Sequence, residues 1–260
     1  MENLSTSAKI TWCPGCPNSA ILVAFRKLVE ELKTENNLKL ENLVAVAGIG
    51  CHGKITDYLN VNTFTSLHGR LLPTMQGIKI ANPVLQVVGF SGDGDSYSEG
   101  AEHLIHAAKR NSDVNLFVHD NQVFALTTGQ ATATSPKGFK GKSTPSGSIE
   151  EPFNPLLLML ASGATFVART YAGDIEGTKK IMKQAIEHKG FSFVDIIQPC
   201  ITFYDTRDFY KDHTYWLDEK YPTDNISTAI EKVMAKEEKV ALGVFYKTNK
   251  PTFEEQLTSQ

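Results

Sequence analysis

The chain has 260 residues, 41% of them hydrophobic, and a formal net charge of −3 at pH 7. That length and apolar content can form the core of one large domain or two small ones. The weakly negative charge excludes a basic field for nucleic acid or an anionic membrane, and no apolar run reaches the roughly 18 residues of a membrane span. The first ten residues, MENLSTSAKI, lack the apolar core of a secretion signal, so we expect a cytoplasmic protein.

Apolar segments that predict strands alternate along the chain with segments of helical periodicity. The predicted strands are 43–47, 84–90, 114–119, 165–168 and 191–197. The predicted helices are 18–32, 74–81, 96–110, 154–161, 174–188 and 224–236. Strands rich in Val and Ile that are separated by helices predict an α/β fold, a parallel sheet with helices on both faces.

Two long segments depart from this alternation. Residues 127–151 are rich in Thr, Ser, Gly and Pro and are too long for an ordinary connection, which predicts a functional loop rather than a linker. Residues 200–222 are aromatic and charged without a clear period, and we expect them to lie over the domain surface or against another chain. Residues 1–260 are therefore expected to form one domain with an irregular extension from about residue 200.

The most informative turn is Gly92-Asp93-Gly94-Asp95, which follows a predicted strand and precedes a predicted helix. In a parallel sheet, ligands bind beyond the carboxyl ends of the strands, and glycines there let the backbone approach a phosphate. The helix N-terminus adds free amide donors. An aspartate at this point would repel phosphate unless Mg²⁺, which takes carboxylate and phosphate oxygens, lay between them. The turn therefore predicts a phosphate and magnesium site.

A second magnesium ligand is predicted at Asn121, 28 positions after Asp93 and at the end of the next predicted strand. The interval holds one helix and one strand, so both residues are expected at the same edge of the sheet. The Asn121 side chain can supply an oxygen, and a backbone carbonyl near Val123 can complete the ligand set. The alternative is a pair of ordinary turns between strands and helices.

The chain has four cysteines, Cys13, Cys16, Cys51 and Cys200. The first two form a CxxC within the turn WCPGC, which can present both sulfurs to one metal centre. Four cysteines suit both an iron–sulfur cluster and structural zinc, although Cys₄ zinc sites commonly use two local pairs. Buried free thiols are also common. An iron–sulfur cluster, a zinc site and unliganded thiols therefore all remain open from these residues alone.

Six motifs occur in a fixed order along the chain. They are WCPGC at 12–16, GIGCHGK at 48–54, LHGR at 67–70, GDGD at 92–95, DNQVFALTTGQ at 120–130 and QPC at 198–200. Together they resemble the β subunit of the 2-oxoacid:ferredoxin oxidoreductases, from about residue 12 to about residue 251. The resemblance implies a thiamine diphosphate-binding domain with Mg²⁺ on Asp93, Asn121 and Val123. It also implies a [4Fe–4S] cluster held by the four cysteines.

The resemblance assigns further residues to the cofactor and the substrate. Lys54 matches a lysine that holds the substrate carboxylate, and His68 matches a position near the diphosphate; these two are the residues assigned to catalysis. The implied cofactor-binding residues are Gly50, Cys51, His52, His68, Gly92, Asp93, Gly94, Asp95, Asn121, Val123 and Leu126.

The implied activity is oxidative decarboxylation of a 2-oxoacid to acyl-CoA and CO₂. Electrons would pass from thiamine diphosphate to the cluster and then to ferredoxin. The domain that binds the aminopyrimidine must come from an α subunit, sometimes fused to a γ domain, so this chain is expected to be active only with that partner. Some relatives that accept 2-oxoglutarate read LTKGQ, with a lysine for the second carboxylate, where this chain has Thr128. We therefore expect pyruvate or another monocarboxylic 2-oxoacid.

Two other functions remain open. A subunit of a non-oxidative thiamine diphosphate-dependent 2-oxoacid decarboxylase would use the residues from Gly92 to Asn121 but would not need four placed cysteines. A zinc-stabilised interaction module without enzymatic activity would use the cysteines but would not need Asp93 and Asn121.

Overall fold

The computed structural model of the protein describes residues 4–259. Residues 1–3 and 260 lie outside the described residues. The expected domain includes all four of them, and the N-terminal segment examined for a secretion signal includes residues 1–3. The strands are β1 (Leu43–Ala47), β2 (Asn62–Thr65), β3 (Gln86–Gly92), β4 (Asn115–Asp120), β5 (Val123–Phe124), β6 (Gln130–Ala131), β7 (Phe166–Tyr171), β8 (Ser192–Ile197), β9 (Thr214–Trp216) and β10 (Val240–Lys247). The α-helices are α1 (Asn18–Glu35), α2 (Leu71–Ala81), α3 (Ala101–Arg110), α4 (Pro155–Ala161), α5 (Ile175–Glu187), α6 (Arg207–Asp212), α7 (Ile226–Met234) and α8 (Phe253–Thr258).

Eight strands form one sheet in the order β2-β1-β3-β4-β8-β7-β10-β9, and β5 pairs with β6 in a small hairpin. Within the large sheet, neighbouring strands are parallel except for β7 and β10, which run antiparallel. The predicted α/β fold is confirmed, and one antiparallel pair is added to it. Because β1, β3, β4 and β8 are adjacent and parallel, their carboxyl ends meet at one edge.

Two hydrophobic layers enclose the sheet. In β1, Leu43 and Ala45 face a core cluster that includes apolar residues of α1 and α5. Val44 and Val46 face the opposite cluster, which includes residues of α2, α3 and α4. A strand that is buried on both faces has a continuous apolar sequence, and this pattern predicted β1 correctly.

The helix predicted at 96–110 is interrupted. A π-helical turn covers Gly94–Ser98, and α3 begins only at Ala101. Between them, a Cβ atom on Gly100 would lie 2.8 Å from the Gly69 carbonyl oxygen. This close approach fixes the break in the helix and brings the loop at 67–70 against the glycine–aspartate turn.

The segment from about residue 200, expected to be irregular, contains helices α6, α7 and α8 and strands β9 and β10. Strand β9 joins the sheet through β10. Strand β9 has only three residues, too few for a recognisable alternation, and all four residues of β2 are exposed. Among the described helices, none is both long and apolar enough to cross a lipid bilayer.

Candidate cofactor and cluster sites

The carboxyl ends of β1, β3 and β4 enclose one cavity, the cofactor cavity. Every residue expected to bind the cofactor lines it: Gly50, Cys51, His52, His68, Gly92, Asp93, Gly94, Asp95, Asn121, Val123 and Leu126. These residues come from separate parts of the sequence, so the topology of the sheet brings them together. Their convergence at the carboxyl edge is the arrangement that binds ligands in parallel sheets.

Asp93 is buried at the base of the cofactor cavity and is 1% exposed. Its Oδ2 accepts hydrogen bonds from Thr132 Oγ1 at 2.5 Å and Thr134 Oγ1 at 3.2 Å. Burial outweighs these bonds and raises the pKa of the Asp93 carboxyl to about 6. A buried carboxylate whose ionisation is disfavoured needs a cation to compensate it, which fits a role as a magnesium ligand.

Thr132 and Thr134 lie in the segment predicted as a functional loop, although neither was singled out from the sequence. Both lie in a turn, in which the Ser135 amide donates to the Thr132 carbonyl at 3.2 Å. No local periodicity in the sequence indicated their contact with Asp93.

The Asn121 side chain is held by two hydrogen bonds. Its Oδ1 accepts a hydrogen bond from the Val123 amide at 3.1 Å, and its Nδ2 donates to Gln198 Oε1 at 3.3 Å. An amide oxygen has two lone pairs, so one remains for a cation. A carboxylate from Asp93, an amide oxygen from Asn121 and a carbonyl at Val123 are the hard oxygen donors that Mg²⁺ takes. The residues present therefore fit this ion.

Asp95 joins the loops that form the rim of the cofactor cavity. Its Oδ1 accepts from the Ile49 amide at 3.2 Å and the Gly69 amide at 2.9 Å, and it lies 2.6 Å from His68 Nδ1. Its Oδ2 accepts from Ser91 Oγ at 2.6 Å. Asp95 thereby fixes the ring of His68 and leaves Nε2 as the ring nitrogen available to a ligand.

His52 is buried beside Asp95 and lines the cofactor cavity. Its Nε2 lies 3.8 Å from Asp95 Oδ2 and has no hydrogen-bond partner among the described residues. Burial lowers the pKa of this imidazole to about 4, so it is neutral near pH 7. A Cβ on Gly50 or Gly92 would come within 2.6 Å of the ring, so both glycines are needed to accommodate it. A buried imidazole with an unpartnered nitrogen, on a residue that lines the cavity, fits a position beside a bound cofactor.

The four cysteines line a second cavity, the cysteine cavity, together with Lys54, Asn121 and Gln198. The CxxC turn is closed by the Cys16 amide, which donates to the Cys13 carbonyl at 3.0 Å, and Gly15 has a φ of 80° that favours glycine. Trp12 Nε1 donates to the Cys51 carbonyl at 2.6 Å and so ties this turn to the loop after β1.

The cysteine cavity brings together four thiol groups from three separate segments of the chain. Such a set of soft donors suits a metal centre with thiolate ligands, either an iron–sulfur cluster or zinc. Burial raises the pKa of the Cys16 thiol to about 11 and also raises that of Cys51. All four cysteines are free, and their thiolates would need a metal centre to compensate their charge.

The two cavities share a wall. Cys51, Asn121 and Ala125 line both of them. Lys54, expected to face the cofactor, lies instead among the residues of the cysteine cavity, where its Nζ donates to the Thr11 carbonyl at 3.2 Å. Cys51 and Lys54 are three residues apart at the start of a 3₁₀-helix, His52–Tyr58, in which positions i and i+3 lie on the same side. That geometry turns Lys54 toward the cysteines.

Two family models cover most of the chain. Residues 48–196 match the thiamine pyrophosphate enzyme C-terminal TPP-binding domain. Residues 200–260 match the C-terminal region of the pyruvate ferredoxin oxidoreductase β subunit. The second match begins at Cys200, shortly after the carboxyl end of β8.

Curated relatives agree with these models. The chain is 40% identical to subunit beta of 2-oxoacid:ferredoxin oxidoreductase 1 from Aeropyrum pernix over 96% of this chain and 81% of the relative. It is 41% identical to the 2-oxoglutarate synthase subunit KorB from Archaeoglobus fulgidus over 74% of this chain and 70% of the relative.

A solved structure of 2-oxoglutarate:ferredoxin oxidoreductase from Magnetococcus marinus, with 2-oxoglutarate, coenzyme A and succinyl-CoA bound, matches with a TM-score of 0.95. The identity is 35%, and the match covers 98% of this chain and 87% of that chain. The likeness therefore spans nearly the whole fold, from the helices that flank the sheet to its C-terminal strands. The chain belongs to the family of 2-oxoacid:ferredoxin oxidoreductases, as a β subunit.

Proposed function

We propose that this chain, with an α subunit, forms a CoA-dependent enzyme that oxidatively decarboxylates a 2-oxoacid to acyl-CoA and CO₂ and reduces ferredoxin. The observation that carries the proposal is the shared wall of the two cavities. Cys51 and Asn121 line both, so a cluster on the cysteines and a thiamine diphosphate on the magnesium ligands would be neighbours. A non-oxidative decarboxylase has no use for that arrangement.

Each residue of the cofactor cavity has a definable task. Thiamine diphosphate, when bound here, would supply the electron sink for decarboxylation. Asp93, Asn121 and Val123 would present oxygen ligands to Mg²⁺, which offsets the charge of the diphosphate. Asp95 orients His68 toward the bound cofactor through its 2.6 Å contact with Nδ1. The buried neutral imidazole of His52, which lines the same cavity, would lie beside the cofactor.

The cysteine cavity is assigned to a [4Fe–4S] cluster on Cys13, Cys16, Cys51 and Cys200. Thiolates are the soft ligands that such clusters need. The proximity of Lys54 lowers the pKa of Cys51, although burial, the larger influence, raises it. This positive charge supports the thiolate form at the residue that both cavities share.

An α subunit is supported by the rim of the cofactor cavity. Ile49 and Leu126 line the cavity and are 40% and 48% exposed, and Leu67, beside His68, is 77% exposed. Apolar side chains exposed around a cavity indicate a surface that another chain covers. The partner would close the cavity and supply the residues that bind the aminopyrimidine.

We propose a monocarboxylic substrate such as pyruvate, because Thr128 cannot neutralise a second carboxylate. We also propose Lys54 as the contact of the substrate carboxylate, because it lines the cysteine cavity, which shares a wall with the cofactor cavity.

A second candidate substrate, 2-oxoglutarate, is favoured by one observation. Lys142 Nζ donates to Thr128 Oγ1 at 3.4 Å, so the Lys142 ammonium group contacts the residue that replaces the lysine of the LTKGQ motif. The relative from Archaeoglobus fulgidus and the solved structure from Magnetococcus marinus are also named for 2-oxoglutarate.

The proposed function is tested by purifying the chain with its α subunit under anaerobic conditions. Iron, sulfide, zinc and thiamine contents are measured, and ferredoxin reduction is followed with a 2-oxoacid in the presence and absence of CoA. We expect iron, sulfide and thiamine in the protein and CoA-dependent reduction of ferredoxin. Release of CO₂ without ferredoxin reduction by an iron-free protein would establish the decarboxylase alternative, and stoichiometric zinc would establish the interaction module.

The substrate is tested by comparing kcat/KM for pyruvate and 2-oxoglutarate. We expect pyruvate to be preferred; a higher value for 2-oxoglutarate that falls in Lys142→Ala, but not in the neighbouring control Lys140→Ala, would establish the second candidate. Lys54→Ala should raise KM for either substrate if Lys54 holds the carboxylate that both share. Unaltered kcat and KM in this variant would remove Lys54 from the site.

We also propose that the chain forms one domain and functions in the cytoplasm. The single domain is supported by β9 and β10, which extend the same sheet as the strands before residue 200. The cytoplasm is supported by the four free cysteines, since a reducing compartment keeps cluster ligands from forming disulfides.

A further inference from the structure

We propose that Gln198 couples the magnesium site to the cluster site, an inference that rests on the proposed function. Gln198 follows β8 directly and is 1% exposed. Its Oε1 accepts a hydrogen bond from Asn121 Nδ2 at 3.3 Å. Its Nε2 donates to the Pro199 carbonyl at 3.1 Å and to Cys16 Sγ at 3.9 Å. One side chain therefore contacts a proposed magnesium ligand and a proposed cluster ligand.

The orientation of this amide is fixed by its neighbours. The Val123 amide can only donate, so the atom of Asn121 that faces it must be Oδ1. Nδ2 of Asn121 then faces Gln198, which must present Oε1 to it. The remaining Nε2 therefore points toward the Pro199 carbonyl and Cys16 Sγ. Exchanging the oxygen and nitrogen of either side-chain amide would place two donors against each other. The hydrogen bonds from Val123 through Asn121 to Gln198 therefore allow only one orientation of each amide.

On the magnesium side, Gln198 is a positioning residue. By holding Nδ2 of Asn121, it keeps Oδ1 on the side of the cofactor cavity. Hydrogen bonds that orient a metal ligand in this way are typically worth about 10- to 100-fold in metal affinity or activity. Loss of the Gln198 oxygen should therefore weaken Mg²⁺-dependent cofactor binding without removing a ligand.

On the cluster side, Gln198 is a donor to sulfur. A hydrogen bond to a cluster thiolate stabilises the more negative, reduced form and raises the reduction potential. Thr202 makes a comparable contact, since its Oγ1 donates to Cys13 Sγ at 3.4 Å. Thr202 is exposed and has no hydrogen bond with Asn121 among the described residues, so it provides a matched control that acts on the cluster alone.

Four substitutions separate the two roles. Gln198→Met has a similar length and removes both the acceptor and the donor. Gln198→Glu keeps an acceptor for Asn121 but, when ionised, removes the donor to Cys16. Thr202→Val removes only a donor to sulfur, and Thr202→Ser keeps it.

The experiment uses the assembled enzyme. The affinity for thiamine diphosphate is measured by calorimetry with saturating Mg²⁺, and the cluster potential is measured by redox titration followed by electron paramagnetic resonance at pH 8. Gln198→Met should bind the cofactor about 10- to 100-fold more weakly and have a lower potential. Gln198→Glu and Thr202→Val should keep the affinity and have lower potentials, and Thr202→Ser should match the wild type.

The failure of this inference differs from the failure of the proposed function. A wild-type enzyme without iron or thiamine would overturn the proposed function. A wild-type enzyme that contains both, with Gln198→Met unchanged in affinity and potential, would overturn the coupling alone. If Gln198→Met changes only the cofactor affinity or only the cluster potential, Gln198 acts at one site alone, and the coupling is also overturned. If Gln198→Met fails to assemble, an unchanged potential in Gln198→Glu overturns the coupling.

Discussion

Replacing Asp93 with asparagine should stabilise the cofactor-free chain while removing magnesium-dependent binding of thiamine diphosphate. Asp93 is 1% exposed, and burial raises its pKa from 3.8 to about 6. An amide of the same shape removes the buried charge and keeps an oxygen for Thr132 and Thr134. The residue is thus expected to serve the cofactor at the expense of the stability of the free chain.

The sign and size follow from linkage. A carboxyl whose pKa is higher in the folded than in the unfolded chain stabilises the protein below about pH 4 and loses that effect as pH rises through about 6. The rise in the pKa of Asp93 from 3.8 to about 6 corresponds to about 3 kcal/mol of folding free energy. At pH 8, Asp93→Asn should therefore raise the free energy of unfolding by up to about 3 kcal/mol. The gain is reduced by the loss of one hydrogen bond, because the NH₂ group of the new amide would face the Asn121 N–H, which donates to Asp93 Oδ1 in the wild type.

The assay is urea unfolding of the full chain, without Mg²⁺ and thiamine diphosphate, from about pH 5 to about pH 8. Three buried histidines act in the opposite direction and destabilise the fold as pH falls. Burial lowers the pKa of His52 and of His188 to about 4 and that of His119 well below its ordinary value. The observable is therefore the difference between variant and wild type, which should grow as pH rises. Asp224→Asn, on the exposed side chain of Asp224, controls for net charge. A difference that is zero or negative at pH 8 would refute the reasoning.

Three further substitutions have defined outcomes. Cys200→Ser should lower iron content and ferredoxin reduction, since a serine oxygen replaces thiolate poorly; full iron content by chemical analysis would remove Cys200 from the cluster ligands. Asp95→Ala should cost about 4 kcal/mol in unfolding free energy, from four hydrogen bonds of about 1 kcal/mol each, and Asp95→Asn should cost less; equal costs would contradict a hydrogen-bonding role. Gly94→Ala should weaken thiamine diphosphate binding, because its Cβ would lie 2.2 Å from the Phe124 ring, and Phe124→Leu should restore it; calorimetry that finds no loss would contradict this.

The sequence predicted the strands whose burial requires apolar residues and the turn whose close packing requires glycine. Strands β1, β3, β4, β7 and β8 are largely buried on both faces and read as apolar runs. The turn at 92–95 was recognisable because its glycines and aspartates combine close backbone approach with metal-binding oxygens. Strand β2 was not predicted, since all four of its residues are exposed and paired only along one edge.

The parts of the site that were missed depend on contacts between distant segments. Thr132 reaches Asp93 across 39 positions, and Gln198 reaches Cys16 across 182. No local pattern encodes such distances. Lys54 was assigned to the substrate carboxylate from the resemblance, and its place in the cysteine cavity, on the 3₁₀-helix after Cys51, is a property of the folded loop.

The charges beneath the cofactor cavity favour a bound cation. Asp93 and Asp195 are buried, and both raise the pKa of Asp120, which burial already holds well above its ordinary value. The Arg169 guanidinium forms its ion pair with Asp195, at 2.9 Å. Among the described residues, this group therefore holds more carboxylates than cations at the one place where a divalent ion is expected. The proposed Mg²⁺ would supply the missing charge at Asp93. The residues that destabilise the free chain would then make binding favourable, and folding and cofactor binding would be linked through the same carboxylates.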